Sequence, residues 1–318
     1  MHGAETITVE RTEVSLPDEL IEPIILYAWL SVDFPSKERW RFYHSMTSLA
    51  RRWRAIMLAI VFSKVFVESV MDIQQYNKLM FRFSSKGTPP TRDLFTRSHV
   101  YASIQYAQLV AVIPDCFSLE FRVGIIADGH RLRFQRLEAF KQMPRFPSLT
   151  RIAVVWPHLP VSPSRQGSFY RDEAIRETAS PAFNTVTTLS LHYPPGNDLR
   201  TLSACLPMLA KMLPNITVLE LKGPIPLTHI INSFAAVKDL FLDTPRPVCR
   251  DVNRESAPIP PPSSVISWTI TAAVKSLQSK ALRRIVLLGN QQQPAGWERL
   301  VEVCENHQVS LEHKAIYY

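Results

Sequence analysis

A pattern of apolar positions recurs six times between residues 116 and 287. Each copy reads apolar-x-x-apolar-x-apolar, and its last two apolar positions alternate as in a strand that buries one face. A proline, glycine or asparagine follows each copy at the point where it would end the strand. The pattern predicts strands at Cys116/Leu119/Phe121, Leu149/Ile152/Val154, Val186/Leu189/Leu191, Ile216/Leu219/Leu221, Val237/Leu240/Leu242 and Leu282/Ile285/Leu287, and an earlier copy at Phe62/Val65/Val67.

Apolar residues at helical spacing occupy most of the stretches between these strands. They predict helices over 130–143, 199–213 and 265–282, a last helix around Trp297 to Cys304, and a terminal strand or tail over 309–318. Strands that alternate with helices indicate an α/β fold with a parallel sheet and outer helices. Proline-rich stretches over 157–167 and 244–264 predict surface loops, the second of them mobile.

The N-terminal part has helical periodicity only. Pro17 would lie in the first turn of a helix, where its missing N–H costs nothing, and Leu16, Leu20 and Ile24 give that helix an apolar face. Pro23 lies inside the same helix and predicts a kink or a split into two short helices. A second helix is predicted from about Ser36, and a third over 47–62 with Leu49, Trp53, Ile56 and Ile60 on one side.

The stretch from Ser15 to Ile56 resembles an F-box, the helical module by which substrate receptors bind the Skp adaptor of SCF-type ubiquitin ligases. The match consists of an L-P-x-E-L-I opening at residue 16, an apolar pair at 24–25 and a closing L-x-x-x-W-R-x-I from residue 49. The resemblance implies a Skp-type adaptor and a cullin complex as partners. It places the adaptor contacts at Leu16, Pro17, Leu20, Ile21, Ile24, Leu49 and Trp53.

The middle of this stretch departs from the F-box pattern because it is longer and more basic. Ala50-Arg51-Arg52 replaces the usual small residue and lysine before the tryptophan, and Glu38 is the one acid between residues 37 and 54. This positive excess is either a solvated face or a patch for an acidic partner. Its members are Lys37, Arg39, Arg41, Arg51, Arg52 and Arg54.

The six copies resemble an irregular leucine-rich repeat, whose pattern is L-x-x-L-x-L-x-x-[NC]. Their starts lie 33, 37, 30, 21 and 45 residues apart, and Asn290 alone keeps the repeat's asparagine. The resemblance implies a solenoid with a parallel sheet and outer helices. The predicted organisation is a polar tail over 1–14, an F-box-like helical module over 15–60 and a repeat domain over 61–318.

Composition narrows the function classes. The chain has 318 residues and a net charge of +8, but only 20% of its residues are charged and no run of five like charges occurs. The charge is therefore spread, which does not indicate nucleic-acid binding; a nucleic-acid binder remains the third hypothesis. Neither a secretory signal nor an apolar run that could span a bilayer is present in the sequence. Four widely spaced cysteines are typical of a reducing compartment, so we expect cytoplasm or nucleus.

No pattern for covalent chemistry is found. The segment 124–131 has the spacing of a phosphate-binding loop, but His130 and Arg131 stand where the lysine and the serine or threonine belong, which favours a turn that opens a helix. The zinc, nucleophile-elbow and metalloprotease spacings are absent. The sequence therefore predicts no enzyme, cofactor or metal site.

The hypothesis that follows is an F-box-like substrate-recognition subunit, in which the repeats bind a protein substrate. Its substrate surface would carry the residues that alternate with the buried positions of the strands. The candidates are Glu120, Ser190, His192, Glu220, Lys222, Phe241 and Asp243, in two rows that also hold Ala153, Val155, Val286 and Leu288. The alternative is a non-catalytic repeat scaffold whose N-terminal helices only cap the solenoid.

Overall fold

A computed structural model describes residues 16–31, 36–83, 91–97, 115–123, 125–128, 131–134, 146–157, 183–194, 199–223, 227–243, 270–275, 281–289, 293 and 296–315. The chain divides into two compact units, Met1–Ser63 and Lys64–Tyr318, here termed the helical unit and the sheet unit. The predicted tail over 1–14, the loop over 244–264 and most of the loop over 157–167 lie outside the described residues.

The helical unit contains helices α1 (Asp18–Ser31), α2 (Ser36–Leu49) and α3 (Arg51–Ser63). Of the kink or split expected at Pro23, the split is wrong, because α1 continues through this residue. An interior proline costs a helix about 3 kcal/mol. Here Pro23 lies on the exposed side, where water can bond the carbonyl that loses its donor, and burial of the opposite side offsets the cost. Leu49 ends α2 and does not belong to the third helix, which begins at Arg51.

Aromatic packing forms the interior of the helical unit. Ile21, Ile25 and Trp29 lie at i, i+4 and i+8 on α1 and are all buried. The rings of Trp29 and Trp40 meet edge to face, with centroids 6.3 Å apart, an arrangement that the ring quadrupoles favour. The guanidinium of Arg39 lies 5.4 Å from the centroid of the Trp29 ring, so this predicted member of the basic patch is an interior residue.

The sheet unit is built on nine parallel strands. All six predicted strands are confirmed, as is the earlier copy. The order across the sheet is β1-β2-β3-β6-β7-β8-β9-β10-β11. Their bounds are β1 Lys64–Val67, β2 Asp93–Arg97, β3 Ser118–Arg122, β6 Arg151–Val155, β7 Thr188–His192, β8 Val218–Lys222, β9 Asp239–Asp243, β10 Arg284–Gly289 and β11 Ser310–Ala315.

Register aligns the apolar residues of neighbouring strands into two buried rows. In the first row Leu189 is the register partner of Leu219, and Leu219 is the partner of Leu240. Leu191 and Leu221 are partners in the second row. Every apolar residue of the six predicted copies is buried. Four of the copies also have a buried apolar residue three positions before their first residue, namely Phe146, Phe183, Leu213 and Phe234. Because side chains alternate along a strand, the residues between these rows lie on the opposite face of the sheet.

Backbone hydrogen bonds join successive strands at their amino ends. The carbonyl of Thr150 accepts the N–H groups of both Thr187 and Thr188, at 2.9 and 3.0 Å. The carbonyl of Thr187 accepts those of Thr217 and Val218 in the same way, and the arrangement repeats from the carbonyl of Arg92 to that of Lys238. This ladder satisfies backbone groups where the strands begin.

The described helices of the sheet unit are α4 (Val70–Phe83), α5 (Leu199–Met212), α6 (Leu227–Ser233) and α7 (Trp297–Asn306), and residues 270–275 are also helical. Helices α5 and α7 confirm two predicted helices, whereas α4 and α6 were not predicted. Residues 270–275 belong to the helix predicted over 265–282, whose residues 281–282 are not helical. A capping box begins α4: the Oδ2 of Asp72 accepts the N–H of Ser69 at 2.8 Å, and Ser69 Oγ accepts that of Asp72. Ile270 and Val274 are buried as their spacing predicted.

The expected turn and helix after residue 124 is wrong where the structure describes it. Strands β4 (Ile125–Asp128) and β5 (Arg131–Phe134) form a separate antiparallel pair, in which Asp128 is the partner of Arg131. Asp128-Gly129 is a dipeptide typical of tight hairpins, and here this turn prevails over the helical spacing of the apolar residues that follow. Residues 135–143 of the predicted helix lie outside the described part.

Candidate functional site

An apolar row of α1 is exposed. Leu16, Leu20, Ile24 and Tyr27 are 45%, 53%, 55% and 76% exposed, and they form what is here termed the docking face. They follow one another at helical spacing on the side of α1 opposite Ile21 and Ile25. Single exposed apolar residues need no explanation, but a contiguous row of large ones marks an interaction surface more often than chance.

The seven predicted adaptor contacts therefore separate into groups. Leu16, Pro17, Leu20, Ile24 and Leu49 are exposed, and Trp53 is half-buried. Ile21 is only 2% exposed and packs in the interior of the helical unit, so it is not available to a partner. Tyr27 extends the docking face at the helical spacing predicted for position 27, although it was not among the predicted adaptor contacts.

The basic residues around α2 do not form one uniform patch. Arg39 is buried, and Arg54 Nε donates to the carbonyl of Thr47 at 3.0 Å, which satisfies a free carbonyl at the end of α2. These two arginines have structural roles. The side chains of Lys37, Arg41, Arg51 and Arg52 are exposed.

The second candidate surface is the face of the sheet that the two apolar rows do not occupy, here termed the open face. All seven predicted substrate-contact residues lie on it, and register places them in two rows. Ser190 is only 4% exposed, so the expectation that its side chain contacts a substrate is wrong. The middle row is Phe66, Phe95, Glu120, Ala153, Ser190, Glu220, Phe241, Val286 and Glu312. The carboxyl row is Arg122, Val155, His192, Lys222, Asp243, Leu288 and Lys314.

Ion pairs connect most charged residues of the open face to each other. Arg151 Nη2 reaches across β7 to Glu220 Oε2 at 2.6 Å, and Arg284 Nε lies 2.9 Å from Asp239 Oδ1. The Arg284 guanidinium also lies 5.7 Å from the centroid of the Phe241 ring. The remaining pairs are Lys64–Asp93, Arg122–Glu120, Arg122–Glu68, Arg284–Glu312 and Lys314–Glu312. Glu120 and Glu220 are therefore engaged within the sheet.

Three neighbouring residues of the carboxyl row, His192, Lys222 and Asp243, form no such pair with any described residue. They are here termed the triplet. Lys222 is the register partner of both His192 and Asp243. Desolvation by the surrounding sheet, and then the positive charge of Lys222, hold the pKa of His192 below its ordinary value. His192 is therefore neutral at pH 7 and can donate and accept hydrogen bonds.

The described part of the chain has no group of three or more residues suited to hold a metal ion. Burial raises the pKa of Cys116 to about 12, and those of Cys205 and Cys304 to about 11. These thiols are therefore protonated at neutral pH and are poor nucleophiles. Residues 125–128 and 131–134 form a hairpin, which is not the strand-turn-helix context that a phosphate-binding loop requires.

Among the residues that the structure describes, no helix combines the length and the apolar character needed to cross a bilayer. No protein-family model matches the sequence, and no curated protein matches it.

Proposed function

We propose that the chain is an F-box-like substrate-recognition subunit of an SCF-type ubiquitin ligase. In this proposal the docking face binds a Skp-type adaptor, and the sheet unit is a leucine-rich-repeat-like solenoid whose open face binds a protein substrate. The observation that carries the proposal is the exposure of Leu20 and Ile24 on α1 and of Leu16, which precedes it.

The physical support is the free energy that the docking face would gain by leaving water. Fully burying a leucine or isoleucine side chain contributes about 1.5–3 kcal/mol. Leu20 and Ile24 are roughly half exposed, so a large part of this free energy is still available to a partner. Such a row of apolar anchors is suited to a binding surface whose affinity rests on a few buried residues.

The proposed chemistry of the subunit is proximity. A receptor that holds its substrate beside the transfer machinery raises the effective concentration of the reacting groups, and it needs no catalytic side chain of its own. The open face offers charged groups for this purpose: its ion pairs satisfy most of its charges, while His192 and Lys222 are exposed and Asp243 is half-buried.

The alternative function is a repeat scaffold in which the N-terminal helices only cap the solenoid. A cap covers the exposed end of a hydrophobic core with its own apolar face. The L-P-x-E-L opening at residue 16 and the closing Trp53 favour adaptor docking over this alternative.

Co-purification with a Skp-type adaptor tests the proposal. We expect the wild-type chain to co-purify, and a Leu20→Asp/Ile24→Asp variant to lose the adaptor, because both charges would be desolvated in the interface. Phe81→Asp is the matched control, since Phe81 is a large apolar residue that is 87% exposed on α4. Absence of adaptor from the wild-type preparation, with all three chains folded by circular dichroism, would reject the proposal.

A further inference from the structure

The triplet differs from the other charged side chains that the structure describes on the open face. The eleven other ionised residues named above each lie within ion-pair distance of an opposite charge. Lys222 and Asp243 are opposite charges on adjacent positions of neighbouring strands, an arrangement that usually forms a cross-strand pair. Lys222 and Asp243 nevertheless form no ion pair with each other or with any other residue that the structure describes. Both charges therefore remain available to an external group.

The surroundings of the triplet suit a short extended segment. Val155 precedes His192 in the carboxyl row and Leu288 follows Asp243, so an apolar residue flanks each end. Neighbouring strands lie about 4.8 Å apart, and the row from Val155 to Leu288 therefore spans roughly 19 Å. This length matches about six residues of extended chain lying across the strands.

The order of the two charges, Lys222 and then Asp243, indicates which charged residues the bound segment would carry. Side chains on one side of an extended chain recur at every second residue, about 6.7 Å apart. This spacing is within the combined reach of the Lys222 and Asp243 side chains from neighbouring strands. An acid and a base two positions apart would therefore meet both charges at once, while the neutral imidazole of His192 hydrogen-bonds the segment without adding repulsion.

We propose that the triplet binds an extended segment of a substrate protein, with an acidic residue against Lys222 and a basic residue two positions away against Asp243. This rests on the proposed function only in taking the open face as the substrate surface. It does not depend on adaptor docking, because the binding residues belong to the sheet unit alone.

Selection from a random dodecapeptide library displayed on phage tests the proposal with the full chain and without an adaptor. We expect wild type to enrich clones that carry an acid and a base two positions apart. Lys222→Glu leaves two acids in the triplet and should enrich basic clones, whereas Asp243→Lys leaves two bases and should enrich acidic clones. Lys238→Glu reverses an exposed charge outside the open face and should select as wild type does.

A synthetic copy of the wild-type peptide gives the quantitative readout. Each reversal turns one attraction into a repulsion, so its affinity by fluorescence anisotropy should fall about tenfold for Lys222→Glu and for Asp243→Lys, and stay unchanged for Lys238→Glu. Absence of enrichment by wild type, or the same enriched peptides from wild type and both reversals, would overturn the proposal.

A second copy of the chain is the other occupant that the triplet could accept, because a positive and a negative charge side by side are self-complementary about a two-fold axis. Sedimentation velocity separates the two occupants. We expect a wild-type sedimentation coefficient that does not change with concentration. A dimer that Lys222→Glu dissociates and Lys222→Asp/Asp243→Lys restores would instead assign the triplet to self-association and overturn the peptide proposal.

Discussion

The helical unit and the sheet unit use apolar residues differently. In the sheet unit the apolar residues of the repeated pattern are all buried, and the alternate positions form the open face. In the helical unit α1 carries two apolar rows: Ile21, Ile25 and Trp29 are buried, whereas Leu20 and Ile24 are exposed. The sheet unit therefore buries the apolar residues of its repeated pattern. The helical unit leaves an apolar row in water, which is typical of a surface that functions by binding.

Matched leucine truncations should show this difference most strongly. Leu219 is fully buried on β8, so Leu219→Ala should lower the free energy of unfolding by about 2–5 kcal/mol through lost burial and the cavity left behind. Leu20→Ala makes the same chemical change on the docking face and should alter it by less than about 0.5 kcal/mol. Urea denaturation of both variants measures the contrast, and equal losses would mean that Leu20 supports the fold.

A backbone contact beside the triplet should give the next largest effect. Gly223 follows β8 with φ of 106°, and a Cβ on it would lie 1.9 Å from the carbonyl oxygen of Tyr193. Gly223→Ala therefore requires the end of β8 to move, and we expect a loss of about 1–3 kcal/mol in the free energy of unfolding. Ala236→Gly, at an exposed turn, is the control for altered chain entropy. Wild-type stability of Gly223→Ala would show that the close approach is absent.

Loss of the capping box of α4 should lower the free energy of unfolding by a smaller amount. Asp72→Ala removes the acceptor of the Glu68 and Ser69 N–H groups, and loss of such a cap costs about 0.5–2 kcal/mol. Asp72→Asn retains one side-chain oxygen and should recover part of the loss. Thermal denaturation checks the order wild type, asparagine variant, alanine variant; an alanine variant as stable as wild type would contradict it.

The smallest effect is expected on the open face. Arg151→Gln breaks the ion pair with Glu220, and exposed pairs contribute about 0–1 kcal/mol. Urea denaturation in low and high salt should give nearly equal losses for Arg151→Gln and for Glu220→Gln. A loss well above this range would indicate that the open face supports folding, and would weaken its assignment as a binding surface.

Most of the sheet was predictable, because a strand that buries one face has apolar residues at every second position of the sequence. Strand β2 was not predicted, since its inward position 96 is a threonine, buried and polar, where the pattern has an apolar residue. The β4–β5 hairpin was not predicted, because the apolar residues over 130–143 have helical spacing, although Asp128-Gly129 indicates a hairpin turn. The local pattern thus predicted which strand residues face the interior, but it did not predict every strand of the sheet.

The candidate surfaces were predictable only in part. Leu20 and Ile21 are both apolar, and the sequence does not show which of the two rows on α1 faces the interior. The triplet was within the predicted set, but its availability depends on pairing between residues distant in sequence, such as Arg151 and Glu220. No spacing rule contains that information.

Hydrogen–deuterium exchange with and without a Skp-type adaptor tests the central claim most directly, because it reads the docking face and the open face in one experiment. The account predicts slower exchange in peptides that cover 16–31, and unchanged exchange in peptides that cover strands β6 to β9. Protection of those strands with no change over 16–31, or no protection in either region at saturating adaptor, would contradict it.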